Sequence, residues 1–277
     1  MPRNGQRWNL RIGAAQFDLV ANANAHVAIL NQTGGQGVDV PVFPELSLPR
    51  YASTLLTDDP ARCVIDQDGP ALVFIRDACR QISMVAVVGG CLPNARGLGL
   101  SALVIDRRGD ICATYDNQHL DGPEKNWFVP GEAGYLISVH GWRLVLGICY
   151  DSSFPEHGWA AAMAGADAYL VGGAFPLGRS DKRRAIYFPA RALENTVYVT
   201  FANFVGGHDG LDYGGRSVIY SPDGGKLDEV SDETTAIAMA DFHAETLRET
   251  RETLRMLHDR RAEQAPIHTT SANSNGL

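Results

Sequence analysis

Short apolar strands alternate with stretches of helical period along most of this chain, and that alternation limits the fold more than any other feature. Leu10 to Phe17 reads as a strand, and Asn24 to Thr33 as a helix stopped by Gly34-Gly35. Val38 to Phe43 is an apolar, β-branched strand that ends at Pro44. Leu72, Ile75, Cys79 and Ile82 recur at helical spacing, so a helix is expected over Pro70 to Ser83, then a buried strand over Met84 to Gly89. Leu100 to Asp106 and Ile111 to Tyr115 flank Arg107-Arg108-Gly109-Asp110 and form a hairpin. Strand, helix and strand then recur over Arg143 to Ile148, Pro155 to Ala164 and Ala168 to Val171. Asp181 to Asn195 is helical, with a kink expected at Pro189. Val197 to Asn203 and Arg216 to Ser221 read as strands, and Asp241 to Ala262 as a charged helix. This order predicts one α/β domain over residues 1–262, built of two similar halves with helices outside and sheets inside. Residues 263–277 read as a loose polar tail.

Composition narrows the function. Of 277 residues, 45% are hydrophobic, enough for a large core. The formal net charge of −8 argues against a nucleic-acid or anionic-membrane surface, since both reward clustered Lys and Arg. The polar start has no apolar signal-peptide region, and no apolar run approaches the ~20 residues that span a bilayer. The five cysteines, Cys63, Cys79, Cys91, Cys112 and Cys149, are widely spaced with no CxxC pair. That pattern fits a reducing cytoplasm and gives no framework for disulfides or for a metal.

Two positions carry chemistry. In Leu144-Val145-Leu146-Gly147-Ile148-Cys149, a strand delivers a thiol to a turn just before a helix. A helix N-terminus there would favour thiolate and lower the thiol pKa; the other reading is an inert cysteine at a strand end. In Val42-Phe43-Pro44-Glu45, a lone carboxylate sits at the carboxyl end of an apolar strand, where ligands bind in open α/β sheets. Partial burial would raise its pKa towards that of a general base; the other reading is a surface Glu capping the next turn.

Taken together, these segments resemble the nitrilase superfamily of carbon–nitrogen hydrolases. Phe43-Pro44-Glu45-Leu46-Ser47-Leu48 with Tyr51 resembles its Glu motif, and Gly147-Ile148-Cys149-Tyr150-Asp151 with Phe154-Pro155-Glu156 its Cys motif. Tyr115 to Leu120 resembles the Lys-motif region, Phe128-Val129-Pro130-Gly131 the segment after it, and Tyr213-Gly214-Gly215-Arg216-Ser217 the closing hairpin. The resemblance implies a four-layer αββα sandwich, assembly into homodimers or larger homo-oligomers, and chemistry on a small-molecule substrate with neither metal nor cofactor. By position it implies that Cys149 attacks an amide, carbamoyl or nitrile carbon, that Glu45 is the base, and that the Tyr150 N–H donates to the oxyanion. It also gives Glu124 the place of a second, substrate-positioning carboxylate, beside the reading of a solvated loop charge. Tyr51, Tyr150 and Phe175 are candidates for the pocket wall, each equally able to be core.

One position departs from the pattern. Where the family carries a catalytic Lys, Tyr115-Asp116-Asn117-Gln118-His119-Leu120 places Asn117. Asn can donate a hydrogen bond to an oxyanion but brings no charge. Loss of such a donor costs about 10² to 10³ in rate. Asn117 therefore predicts weak hydrolysis, altered chemistry or a compensating cation. Lys125 is the nearest candidate, with Arg50 and Lys182 behind it, while His119 reads as a packing or hydrogen-bonding residue. Three functions stay open: amidase-like hydrolysis, acyl transfer or cyclisation by the same Cys–Glu pair, and binding or assembly without catalysis.

Overall fold

The computed structural model describes residues 9–18, 23–49, 59–208, 210–231, 234–261 and 269. In chain order the first half holds β1 (Leu10–Asp18), α1 (Ala23–Gly35), β2 (Val40–Val42), α2 (Pro70–Ile82), β3 (Ala86–Asn94), β4 (Gly97–Ile105) and β5 (Ile111–Asp116). The second half holds β6 (Leu136–Val139), β7 (Trp142–Ile148), α3 (Pro155–Met163), β8 (Ala168–Gly172), α4 (Arg179–Asn195) and β9 (Tyr198–Ala202). It closes with β10 (Phe204–His208), β11 (Leu211–Gly214), β12 (Val218–Tyr220), β13 (Lys226–Glu229), β14 (Ala236–Phe242), α5 (Ala244–Thr253) and α6 (Met256–Asp259).

The strands form two sheets. One runs β11-β10-β1-β2-β3-β4-β5, with β14 also paired to β1; the other runs β13-β12-β9-β8-β7-β6. Strand periodicity decides which residues face which layer. In β1, Leu10, Ile12 and Ala14 point into the core between the sheets, while Ala15 and Phe17 join the cluster that holds Leu30 of α1 and Leu72 and Ile75 of α2. In β7, Leu144, Leu146 and Ile148 face the other sheet, and Val145 faces Ala161 of α3 and Phe188 of α4. The layers are therefore α, β, β, α, the four-layer sandwich that the resemblance implies.

One expectation changes. The charged helix expected over Asp241 to Ala262 begins only at Ala244 and is interrupted between Thr253 and Met256. Asp241 and Phe242 instead end β14. Asp241 accepts from the Arg11 guanidinium at 2.7 Å, and the buried Phe242 ring stacks on Tyr198 at 4.0 Å. The α4 helix runs through Pro189, as expected from the helical reading of Asp181 to Asn195. No helix among the described residues is long and apolar enough to cross a membrane.

Candidate active site

Both chemically informative segments lie where an inner strand ends. After β2 the chain turns through Pro44 and Glu45, and Leu46 takes a left-handed φ of 46°. Neighbouring backbone closes tightly on this turn. A Cβ on Gly89 would lie 2.6 Å from the Leu46 nitrogen and 2.9 Å from the Glu45 carbonyl carbon; one on Gly172 would lie 2.5 Å from the Phe43 oxygen. Glycine is required at both positions because backbone, not a flexible side chain, occupies the space. The Ser47 hydroxyl adds a clamp, accepting from the Gly89 N–H at 3.2 Å and pairing with His26 at 3.0 Å. After β7, Cys149 itself has a φ of 39°, a strained value for a residue with a side chain. It opens a 3₁₀ turn over Cys149–Ser153, and α3 begins only at Pro155.

These two ends bring Glu45 and Cys149 together. Glu45 is 1% exposed, and among the described residues neither of its oxygens has a well-formed hydrogen bond. The Cys149 thiol lies close enough to partner that carboxyl and favour its charged form, yet burial and then the charge of Glu124 raise the Glu45 pKa well above its ordinary value. Burial first, then Glu45 and Glu124, likewise push the Cys149 thiol well up, against a smaller opposite pull from the Ala174 backbone. Glu124 is itself buried, and its Oε2 accepts from the Asp121 N–H at 2.8 Å. The charges that act most strongly on Glu45 and Cys149 are all negative.

This corrects one expectation. A helix N-terminus was expected to lower the Cys149 pKa, but α3 starts six positions further on, and desolvation beside two carboxyl groups dominates. The sign sets a test. A thiol with a raised pKa stays protonated at neutral pH, so Cys149 alkylation by iodoacetamide is expected to be slow near pH 7 and still rising above pH 9. A rate that levels off near pH 7 would contradict this electrostatic picture.

A buried network stands behind the nucleophile. Asp151, fully buried, accepts from the Ile148 N–H at 3.0 Å, the Tyr115 hydroxyl at 2.6 Å and the His119 N–H at 3.0 Å, and pairs with His119 Nδ1 at 2.9 Å. With Tyr115 donating to Asp151, His157 Nε2 donates to the Tyr115 oxygen at 2.8 Å and its Nδ1 accepts from Tyr169 at 2.9 Å. A neutral imidazole suits this arrangement, and burial lowers the His157 pKa against the upward pull of Asp151. The network ties the end of β7 to the Tyr115–His119 segment and to α3. His119, read from sequence as a packing or hydrogen-bonding residue, does both, since its ring also stacks on Phe154 at 4.0 Å. Asp151 was missed, although its place two residues after Cys149 was the signal.

The remaining candidates separate. Asn117 is fully buried; its Oδ1 accepts from the His119 N–H at 3.0 Å, and its Nδ2 has no partner among the described residues. Tyr150 and Lys125 line a cavity of about 470 Å³ together with His119, Phe128 and Phe154. Lys125 is exposed, and Lys182 is an exposed residue of α4. Among the described residues no ion pair joins Lys or Arg to Glu45. Phe175 is 3% exposed and packs on Phe201 and Phe188 at 5.1 and 5.9 Å. Tyr51 and Arg50 fall outside the described residues.

Comparison with known proteins points the same way. The family model described as carbon-nitrogen hydrolase matches residues 9–252. The chain is 32% identical over 228 residues to "Hydrolase in pqqF 5'region" of Pseudomonas protegens, covering 81% of this chain and 79% of that protein. It is 30% identical over 255 residues to an (R)-stereoselective amidase of Pseudomonas sp., covering 91% and 88%. Among solved structures, an amidase from Nesterenkonia sp. superposes with a TM-score of 0.74 at 29% identity, covering 90% of this chain and 96% of that one. A mutant of that amidase in complex with butyramide superposes with a TM-score of 0.73 at 29% identity, covering 90% and 97%.

Proposed function

The chain belongs to the carbon–nitrogen hydrolase family, and from that premise we propose that it hydrolyses a small non-peptide amide or carbamoyl substrate through a thioester on Cys149. The observation that carries this reading is the buried contact between the Cys149 thiol and the Glu45 carboxyl, two groups brought together from opposite sheets. A binding protein has no need of that pair at such a desolvation cost.

In the proposed cycle, Glu45 takes the thiol proton as Cys149 Sγ attacks the carbonyl carbon. The C–N bond breaks, and Glu45 passes that proton to the departing nitrogen, which leaves as ammonia. Glu45 then takes a proton from water as the water oxygen attacks the thioester. The acid departs, and the proton returns to sulfur. The net change is amide plus water to acid plus ammonia. Glu124 positions the substrate nitrogen, the Tyr150 N–H and the Asn117 amide face the developing oxyanion, and Tyr150 with Lys125 borders the entrance. Butyramide bound to the Nesterenkonia amidase mutant supports short aliphatic amides as first substrates to try.

Intact-mass measurement during turnover tests the cycle. A small acyl adduct that water alone clears is expected. An adduct cleared only by an added amine would move the assignment to acyl transfer, and the lack of any adduct or product with a panel of amides would discard it.

We also propose that the chain assembles as a homodimer through its α3–α4 layer. Trp159 and Met163 lie one turn apart on α3, and Ile186 and Leu193 two turns apart on α4, exposed by 47%, 44%, 62% and 41%. So much large apolar surface on one layer favours burial against a second copy. Light scattering is expected to give twice the 30.0 kDa chain mass, reduced to one chain by Trp159→Glu with Ile186→Glu.

A further inference from the structure

A fully buried histidine stands behind the turn that carries Glu45. His26, in the first turn of α1, is 0% exposed and takes no part in the cycle above. Its ring packs edge-on to Phe17 at 4.9 Å and tilted against Phe43 at 4.7 Å, so its orientation is set. Its Nε2 meets the hydroxyl of Ser47, two residues after Glu45, at 3.0 Å. The turn between is strained, because Leu46 holds a left-handed φ of 46°. Such a conformation persists only where its surroundings over-determine it. Here β3 provides part of the hold. Phe43 N–H donates to Val87 O at 2.9 Å before the turn, and Leu48 N–H donates to Gly89 O at 3.0 Å after it. Ser47 adds a third tie, accepting from the Gly89 N–H at 3.2 Å.

We propose that His26 is a positioning residue for the general base, fixing through Ser47 where the Glu45 carboxyl lies against Cys149. The Ser47 hydroxyl has one proton and two lone pairs. Left to Gly89 alone, it would direct that proton to a carbonyl 3.4 Å away that already accepts from Leu48. That is a long, weak bond for a hydroxyl. His26 improves on it in either tautomer. As an acceptor, Nε2 takes the hydroxyl proton at 3.0 Å; as a donor, it fills a lone pair and turns the proton towards Gly89 O. Both arrangements fix the hydroxyl, and with it the left-handed turn, to the outer helical layer. Glu45 needs this precision, since its carboxyl must exchange a proton first with the thiol and then with water. A misplacement of ~1 Å can cost 10²-fold in rate. This role rests on the reading of Glu45 as the base.

The test measures His26→Leu, His26→Gln, Ser47→Ala and the double variant of His26→Leu with Ser47→Ala on butyramide and similar short amides. His26→Leu is expected to lower kcat by about 10- to 100-fold while KM moves by less than about threefold. His26→Gln, whose amide can reach the place of Nε2, should recover most of the loss. The double variant should lose no more than Ser47→Ala alone, because residues that act through one another are not additive. Losses that multiply would overturn the proposal. Leu30→Ala, a core truncation in the same helix, separates position from stability. It should melt lower with kcat unchanged, and an equal kcat loss there also overturns the proposal. Iodoacetamide labelling of Cys149 reads the geometry without turnover. Displacing Glu45 removes a group that pushes the thiol up, so the pH profile of labelling should move acidward in His26→Leu and return in His26→Gln. If no amide is ever hydrolysed but that profile moves, His26 keeps its part in placing the carboxyl and only the hydrolytic reading falls. An unmoved profile in folded His26→Leu discards the proposal whatever the turnover. Should His26→Leu not fold, His26→Asn, whose amide stops one methylene short of Gln, takes its place with the same outcomes.

Discussion

Cys149→Ala is expected to lower amide turnover by on the order of 10⁴ to 10⁶-fold, the scale seen when a nucleophile is removed from an enzyme whose catalytic groups act as a unit. The loss is that large because no neighbour can substitute. Of the five cysteines, Cys149 is the one that partners Glu45; Cys63, Cys79, Cys91 and Cys112 are not among the groups acting on that carboxyl. KM should move far less than kcat, since Cys149 contributes to bond making rather than to recognition, and the acyl adduct should vanish from intact-mass spectra. Glu45→Gln is expected to slow acylation and deacylation together, so whatever adduct forms persists. The same variant carries a stability signature. Glu45 has a folded pKa raised above its unfolded one, so its contribution is favourable at low pH and is lost as pH rises through that interval. Glu45→Gln should therefore melt higher than wild type at pH 7, with the gap closing below the ordinary carboxylate pKa. Unchanged turnover in Cys149→Ala would remove the nucleophile from the scheme altogether.

How much of this was legible beforehand depends on which energies a sequence displays. Inner strands such as β1, β7 and β8 announce themselves because most of their residues are buried and apolar. Strands β10, β11 and β13 read Phe204-Val-Gly-Gly-His208, Leu211-Asp-Tyr-Gly214 and Lys226-Leu-Asp-Glu229, polar or glycine-rich segments at or near sheet edges, and no periodicity marks them. β14 was hidden for another reason. Its last residues carry a charge that reads as helix surface, and only pairing with β1, sealed by Arg11 on Asp241, decides otherwise. At the site, the order of Glu45, Asn117, Glu124 and Cys149 was readable from motif. The sign of the thiol shift was not. It depends on how two sheets bury one sulfur against two carboxyl groups, a property of packing that local sequence does not carry. The Asp151 network was unreadable for the same reason, since its partners Tyr115 and His119 lie 36 and 32 residues away in the chain.

Asn117→Lys supplies the opposite change, a gain of function, and its hydrogen-bonding cost is small. The Asn117 backbone keeps its place whatever the side chain, donating to Leu100 O and accepting from the Gly131 N–H, each at 2.8 Å. The one side-chain bond lost is that from the His119 N–H, which retains Asp151 Oδ1 at 3.0 Å. A buried ammonium needs compensation, and the negative charge that raises the Cys149 and Glu45 pKa values provides it. The sign follows directly. A cation there lowers both pKa values, so the thiol ionises and Glu45 becomes a competent base at a lower pH. Hydrolysis of neutral amides such as butyramide is expected to rise by about 10² to 10³, the worth of one strong oxyanion donor. The ascending limb of the pH–rate profile should move acidward by about one to three units, and iodoacetamide should label Cys149 faster near pH 7. If Asn117→Lys folds with wild-type melting yet neither the profile nor the labelling rate moves, charge is not what limits this site, and the shortage of a cation loses its place in the mechanism.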